Sequence, residues 1–283
     1  MTFNNHRTFG IEVEFISPNS ISDTARHINS VLFDHNLQIT TTHYSDSNSR
    51  IWRLKPDGSV GGGGYGMELV SPILQGDEGV RELELFLNAI NTIEGVRVNR
   101  SCGLHVHVGV SDWKIKQFRN LYKRYIKFES AIDNVLPNSR RNSNNQYCRS
   151  TSDQFVYSDG QLTEAYKNLQ RCRTAQQIKR AIGGRYTKLN IESFWKHGTV
   201  EFRHHSGTTN VGKIMSWLRI ALTMTKAADE NRSIRVKTGD TKETYSKKIS
   251  LMMKGLSKVQ DTLVDDETRA YYNRRRRELC RSN

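Results

Sequence analysis

The stretch FGIEVEF, residues 9–15, alternates apolar and acidic side chains with a period of two. In an extended strand that places Ile11, Val13 and Phe15 on one face and Glu12 and Glu14 on the other. Alone, it reads as a half-exposed strand with a wet side, because a sheet packed on one face is apolar inward and polar outward. Two carboxylates side by side on one face also repel each other unless something positive lies between them. What the other strands present decides between water and a bound cation.

Five further stretches alternate in the same way: IWRLK (51–55), MELVS (67–71), GLHVHVGV (103–110), YTKLNI (186–191) and TVEFRHH (199–205). His105 and His107 share a face opposite Leu104, Val106 and Val108. Glu201, Arg203 and His205 share one opposite Val200, Phe202 and His204, and Glu68 lies with Val70. Helical spacing separates these strands. Ile21, Ala25, Ile28, Val31 and Leu32 form one stripe, and Leu83, Phe86, Leu87, Ile90 and Ile93 a second. From Asp112, a candidate N-cap, a long amphipathic helix runs through Phe118, Leu121, Tyr122, Tyr125, Ile132 and Val135. Residues 211–228 are apolar most of the way round and predict a buried helix. The expected fold is α+β: a largely antiparallel, curved sheet with helices on one face and an active site on the other.

Two loops interrupt the pattern. DGSVGGGGYG (57–66) lacks the Lys-Ser/Thr pair of a phosphate loop and reads as a flexible hairpin connection. PNSRRNSNNQYCRS (137–150) is polar and basic, and reads as a mobile surface loop or lid. A linker, NRSIRVKTGDTKETYS (231–246), precedes a further helical stretch and the basic run Arg274–Arg277. The expected division is a catalytic domain over 1–231 and a basic helical C-terminal extension over 232–283.

Of 283 residues, 36% are hydrophobic and 25% charged, which excludes extended disorder. No apolar run reaches membrane-spanning length, and the N-terminal stretch has no signal-peptide pattern, so no membrane association is expected. The cysteines Cys102, Cys148, Cys172 and Cys280 form no CxxC pair, which fits a reducing, cytoplasmic setting and neither a disulfide framework nor structural zinc. The net charge of +14 attracts polyanions, so nucleic acid is a candidate partner. Oligomeric state is left open.

The polar faces taken together carry Glu, His and Arg rather than the Thr, Ser and Lys of an ordinary wet face. Several carboxylates with one or two imidazoles suit a hard divalent cation, Mg2+ or Mn2+. Arg203 beside such ions fits stabilisation of a transferring phosphoryl group. No Ser/His/Asp or Cys/His set stands out, so no covalent protein nucleophile is expected.

GIEVEF, MELVSPIL, SCGLHVHVGV and TVEFRHHSGT, in that order, resemble the amidoligase family over roughly residues 7–230. These are carboxylate–amine ligases related to glutamine synthetase and glutamate–cysteine ligase, typical of phages, bacteria and fungi. The resemblance implies a glutamine-synthetase-like catalytic sheet and ATP-dependent formation of an amide or peptide bond from a small-molecule or peptide carboxylate and an amine. It implies Glu12, Glu14, Glu68, His105 and Glu201 as metal ligands, and His107 as the histidine nearer the nucleotide. Arg203 would contact phosphate, with Glu201 and Glu14 beside it in catalysis. Lys55, Asp57 and Asn190 lie in matching stretches, with Lys55 and Asn190 assigned to the nucleotide. Glutamine synthetase has two glutamates where this chain has mainly Glu68, so Asp57 or water would complete one metal shell. A guanidino-kinase-like phosphotransferase, a basic nucleic-acid-binding protein that is not an enzyme, and a nucleic-acid-modifying ligase, adding an amino acid or amine to a base, are the alternatives.

Overall fold

The computed structural model describes residues 7–41, 50–157, 159–230, 245–260 and 262–280. The chain divides into two compact units: one of residues 1–109 and 205–217, the other of residues 110–204 and 218–283. The boundary expected near residue 231 falls inside the later segment of the second unit. The linker read from 231–246 lies almost wholly outside the described residues.

The first unit is built on β1 (Phe9–Ser17), α1 (Ile21–Leu32), β2 (Ile39–Thr41), β3 (Trp52–Pro56), β4 (Tyr65–Val70), α2 (Gly76–Asn91) and β5 (Gly103–Gly109). Its strands lie in the order β2-β3-β4-β1-β5. All neighbours are antiparallel except β2 and β3, which run parallel. Register sorts the side chains. Val13 lies opposite Leu69 and Leu104, Phe15 opposite Met67, Ile11 opposite Val106, and Leu54 opposite Leu69. All of these are buried. Trp52, two residues before Leu54, stacks on Phe86 of α2 at 4.2 Å between ring centroids, so α2 lies on the apolar face. Helix α1 packs on α2, β2 and β3. The stripe of α2 is buried as the spacing predicts, whereas Val31 of α1 is 40% exposed. Thr24 takes the inward position instead, because its Oγ1 pairs with the buried Ser17 hydroxyl at 2.9 Å.

The second unit contains α3 (Ile115–Asp133), α4 (Glu164–Arg171), α5 (Ala175–Ile182), β6 (Leu189–Asn190), α6 (Ser193–His197) and β7 (Thr199–Ser206) as far as His204. It continues from Leu218 of α7 (Val211–Asp229) into α8 (Tyr245–Leu256) and α9 (Asp266–Cys280). Asp112 does not cap α3. The helix starts at Ile115 with Lys114 as its N-cap, because residues 110–113 close a turn through the Trp113 amide and the Val110 carbonyl. YTKLNI yields only the two-residue β6, antiparallel to β7. Residues 218–228 are mostly apolar and buried as predicted, with Arg219 and Lys226 only half-buried, and α8 packs on α3. Among the described residues, no helix is long and apolar enough to cross a membrane.

The chain is thus mixed α+β, and its described sheet pairings are mostly antiparallel, as expected.

Candidate metal centre and phosphate-binding strand

In the first unit, the face opposite α2 gathers the residues picked out by alternation. Glu14 lies opposite Glu68 and Glu68 opposite Lys55, while Glu12 lies opposite His105 and Gly10 opposite His107. His105 stands between the two glutamates of β1, with Nδ1 2.9 Å from Glu12 and Nε2 3.7 Å from Glu14. His107 Nε2 lies 3.4 Å from the other Glu12 oxygen.

Glu12, Glu68 and His105 offer ligand atoms all within 4.8 Å of one another, and so do Glu14, Asp57 and Glu68. Glu68 therefore belongs to both triads. Asp57 joins the second. Hard oxygen donors with one imidazole are the donor set that Mg2+ or Mn2+ accepts. Gly103 leaves the space beside His105 and Glu14 clear. A Cβ there would lie 2.8 Å from His105 Nε2 and 3.4 Å from both Glu14 carboxylate oxygens. The Gly103 amide also donates to Glu14 at 2.6 Å and fixes its orientation.

The charges in this cluster are unbalanced. Burial alone would raise the Glu12 carboxyl, but His107 and His105 outweigh it and hold the group well below the usual carboxylate range. Glu68 goes the other way. Burial, then the charges of Glu12 and Glu14, push it well above that range, and Lys55 only partly offsets them. Carboxylates that repel in this way gain from a cation placed among them.

The glycine-rich loop after β3 is folded back on the first unit. The carbonyls of Gly61, Gly62 and Gly63 accept from Asn99 and Arg97, and Ser101 accepts from the Gly61 amide. At Gly64, with φ +151°, a Cβ would come within 2.7 Å of Ile16. Glycine is needed there for close approach as well as for turning.

In the second unit, β6 and β7 bring together the other expected residues. Asn190 lies opposite Glu201 and donates to its Oε2 at 2.6 Å, while Arg203 pairs with Oε1. The Glu201 carboxylate is thus held from both sides, and Arg203 is 17% exposed.

Alternation placed His204 only on the face away from Arg203. It joins a buried network that the sequence did not disclose. Its Nδ1 meets the Tyr125 hydroxyl at 2.7 Å and its Nε2 meets Asp133 at 2.6 Å. Lys188, fully buried, bridges Asp133 at 2.6 Å and Glu129 at 3.3 Å. Burial and the Lys188 charge lower His204 to about 4, so it is neutral at pH 7. Burial alone would raise Asp133, but His204 and Lys188 bring it down; Glu129 is raised, with burial outweighing Lys188. The one sequence signal for this network is Glu129 and Asp133, four apart, on a helix whose neighbouring positions are buried.

The network also anchors the loop read as a lid. Glu129 accepts from the Ser150 hydroxyl and the amides of Thr151 and Ser152, and Asp133 from the Asn142 amide. Arg140 and Cys148 are buried, and the Cys148 thiol donates to the Arg203 carbonyl at 3.2 Å. Residues 137–150 are therefore pinned to α3 and β7 rather than free, contrary to the expectation from their polarity. The described cysteines, Cys102, Cys148 and Cys172, are all buried and unbridged.

No curated protein matches the chain. Among solved structures, it is similar to a bifunctional glutathione synthetase from Pasteurella multocida, at 10% identity and a TM-score of 0.48. That alignment covers 98% of this chain and 47% of the other, so the chain spans about half the length of that protein. A family model described as "Putative amidoligase enzyme" matches residues 5–225. With most of its length matched, and with the four motifs that carry the resemblance inside the match, the chain belongs to the amidoligase family.

Proposed function

We propose that the chain is an ATP- and Mg2+- (or Mn2+-) dependent carboxylate–amine ligase with a glutamine-synthetase-like catalytic sheet. The observation that supports this most is the set of Glu12, Glu14, Glu68 and His105 donors on one sheet face with Asp57 at its edge, grouped in two triads, with space beside His105 and Glu14 that Gly103 keeps clear. Glu12, Glu14, Glu68, His105 and Glu201 are the proposed metal ligands, with Asp57 completing one shell. A divalent cation bound there supplies positive charge toward phosphoryl oxygens. Lys55, His107 and Asn190 are assigned to the nucleotide, and Arg203 to the transferred phosphoryl group.

In this scheme a substrate carboxylate oxygen attacks the γ-phosphorus, the bond to ADP breaks, and an acyl phosphate forms. The amine nitrogen then attacks the acyl carbon. Phosphate leaves with the carbon–oxygen bonding electrons, and the nitrogen loses a proton. No protein nucleophile takes part.

Incubating the protein with ATP, Mg2+ and panels of acids and amines tests the proposal. ADP release should require both an acid and an amine and should accompany an amide product. Glu14→Gln and Arg203→Ala should each slow it by about 100-fold or more. Wild-type rates in both variants would refute the site assignment. A phosphorylated product with no amide would assign a guanidino-kinase-type reaction instead.

A further inference from the structure

The second unit presents two tyrosines that the scheme above leaves without a role. Tyr147 is 46% exposed, and its ring meets that of Tyr186 edge-on, with centroids 5.6 Å apart. Large aromatic surface left in water forgoes burial energy, so a fixed pair with Tyr147 exposed and Tyr186 half-buried suggests a partner surface. This pair is fixed by backbone. The Arg149 amide donates to the Tyr186 carbonyl at 2.9 Å, and the Lys188 amide donates to the Arg149 carbonyl at 3.0 Å. Tyr147 is set by its amide, which donates to the Asn145 side chain at 2.8 Å.

The surroundings are cationic. The Arg185 guanidinium lies 4.8 Å from the Tyr186 ring centroid, and its Nη2 donates to the Tyr186 hydroxyl at 2.6 Å. Arg149 is exposed, and among the described residues neither it nor Arg185 pairs with an acid. Residues 137–152 and 165–191 contain no aspartate or glutamate. The same hydrogen-bonded rungs lead to Arg203, whose amide donates to the Lys188 carbonyl at 2.8 Å, while Cys148, next to Tyr147, donates to the Arg203 carbonyl. Aromatic faces beside guanidinium groups, joined through backbone rungs to the strand of an arginine assigned to phosphate, match a molecule with a flat base at one end and phosphates at the other.

We propose that Tyr147 and Tyr186, with Arg149 and Arg185 beside them, form the nucleobase subsite for the nucleoside triphosphate. This rests on the ligase reading above, because that reaction is what requires the nucleotide.

Calorimetry on the full chain with Mg2+ tests it, using a non-hydrolysable ATP analogue and inorganic tripolyphosphate as probes. Tyr147→Ala and Tyr186→Ala should each weaken the ATP analogue by about tenfold. Tripolyphosphate should stay within about twofold of wild type, and the Phe variants should keep most of the nucleotide affinity. Unchanged analogue binding in the doubly substituted variant would overturn the subsite. So would a parallel loss of both probes, which would mean that the rings act through the fold. If the wild type binds tripolyphosphate as tightly as the analogue, the base has no subsite, and the proposal falls while the ligase reading stands. If it binds neither, the ligase reading falls and takes the subsite with it. Variants that lose a single-stranded oligonucleotide while keeping the analogue would reassign the rings to nucleic acid and overturn the proposal.

Discussion

A single methyl group at Gly103 would occupy the space between His105 and Glu14, which is 2.8 Å from one and 3.4 Å from the other. Gly103→Ala should therefore weaken Mn2+ binding by about 10–100-fold, as displaced ligand geometry commonly does. Manganese titration followed by paramagnetic resonance would measure it, with circular dichroism confirming an unchanged fold. Residues such as Glu12, Glu14, Glu68, His105 and His107 were legible from sequence because strand alternation alone assigns them a face. Gly103 was not, because its importance lies in what it lacks, and only the positions of two other side chains reveal that. Lys188 was hidden for a similar reason. Its partners Glu129 and Asp133 lie 59 and 55 residues away, and no local period links them.

Among elements, α3 and β7 depend on that buried lysine. Lys188→Met would leave Glu129 and Asp133 without their cation and should cost about 3–5 kcal/mol. Urea unfolding should show a lower midpoint with an unchanged slope. His204 adds a pH dependence. Its folded pKa of about 4 lies below the ordinary histidine value of 6.5. Above that ordinary value both states are neutral and nothing changes. As pH falls below it, the unfolded chain gains a proton that the native chain refuses, and stability drops by about 1.4 kcal/mol per pH unit until the folded pKa is reached. Asp133, held low, adds its own loss further into acid. Tyr125, Lys188 and Arg140 are the other groups acting around this pair. Thermal melts between pH 7 and 4.5 should fall steeply for wild type and less for His204→Gln. Long periodic elements such as α2 and β5 were readable in the sequence. The parallel edge strand β2 and the two-residue β6 were not, because two or three residues carry no measurable period.

For the whole molecule, composition suggested an extension after residue 231, yet the helices beyond it are packed. Ile249, Met252, Leu256, Val264 and Tyr272 are buried, and α8 packs on α3. Truncation after Glu230 should expose that apolar surface and give a less stable or aggregating protein, which size-exclusion chromatography and melting would detect. The division into two units also bears on synthesis. The first unit includes residues 205–217 as well as 1–109: the Gly207 amide donates to the Cys102 carbonyl at 2.7 Å, and His205 packs on Trp217. A ribosome adding about 5–20 residues per second makes roughly a hundred more residues after Gly109 before every part of the first unit exists. During that interval of several seconds the acidic sheet face exists only as an unfinished fold. Stalled nascent chains ending before residue 205 should stay protease-sensitive across residues 9–109. Those extended far enough to free residue 217 from the exit tunnel should become resistant, so the unit that begins first is completed late.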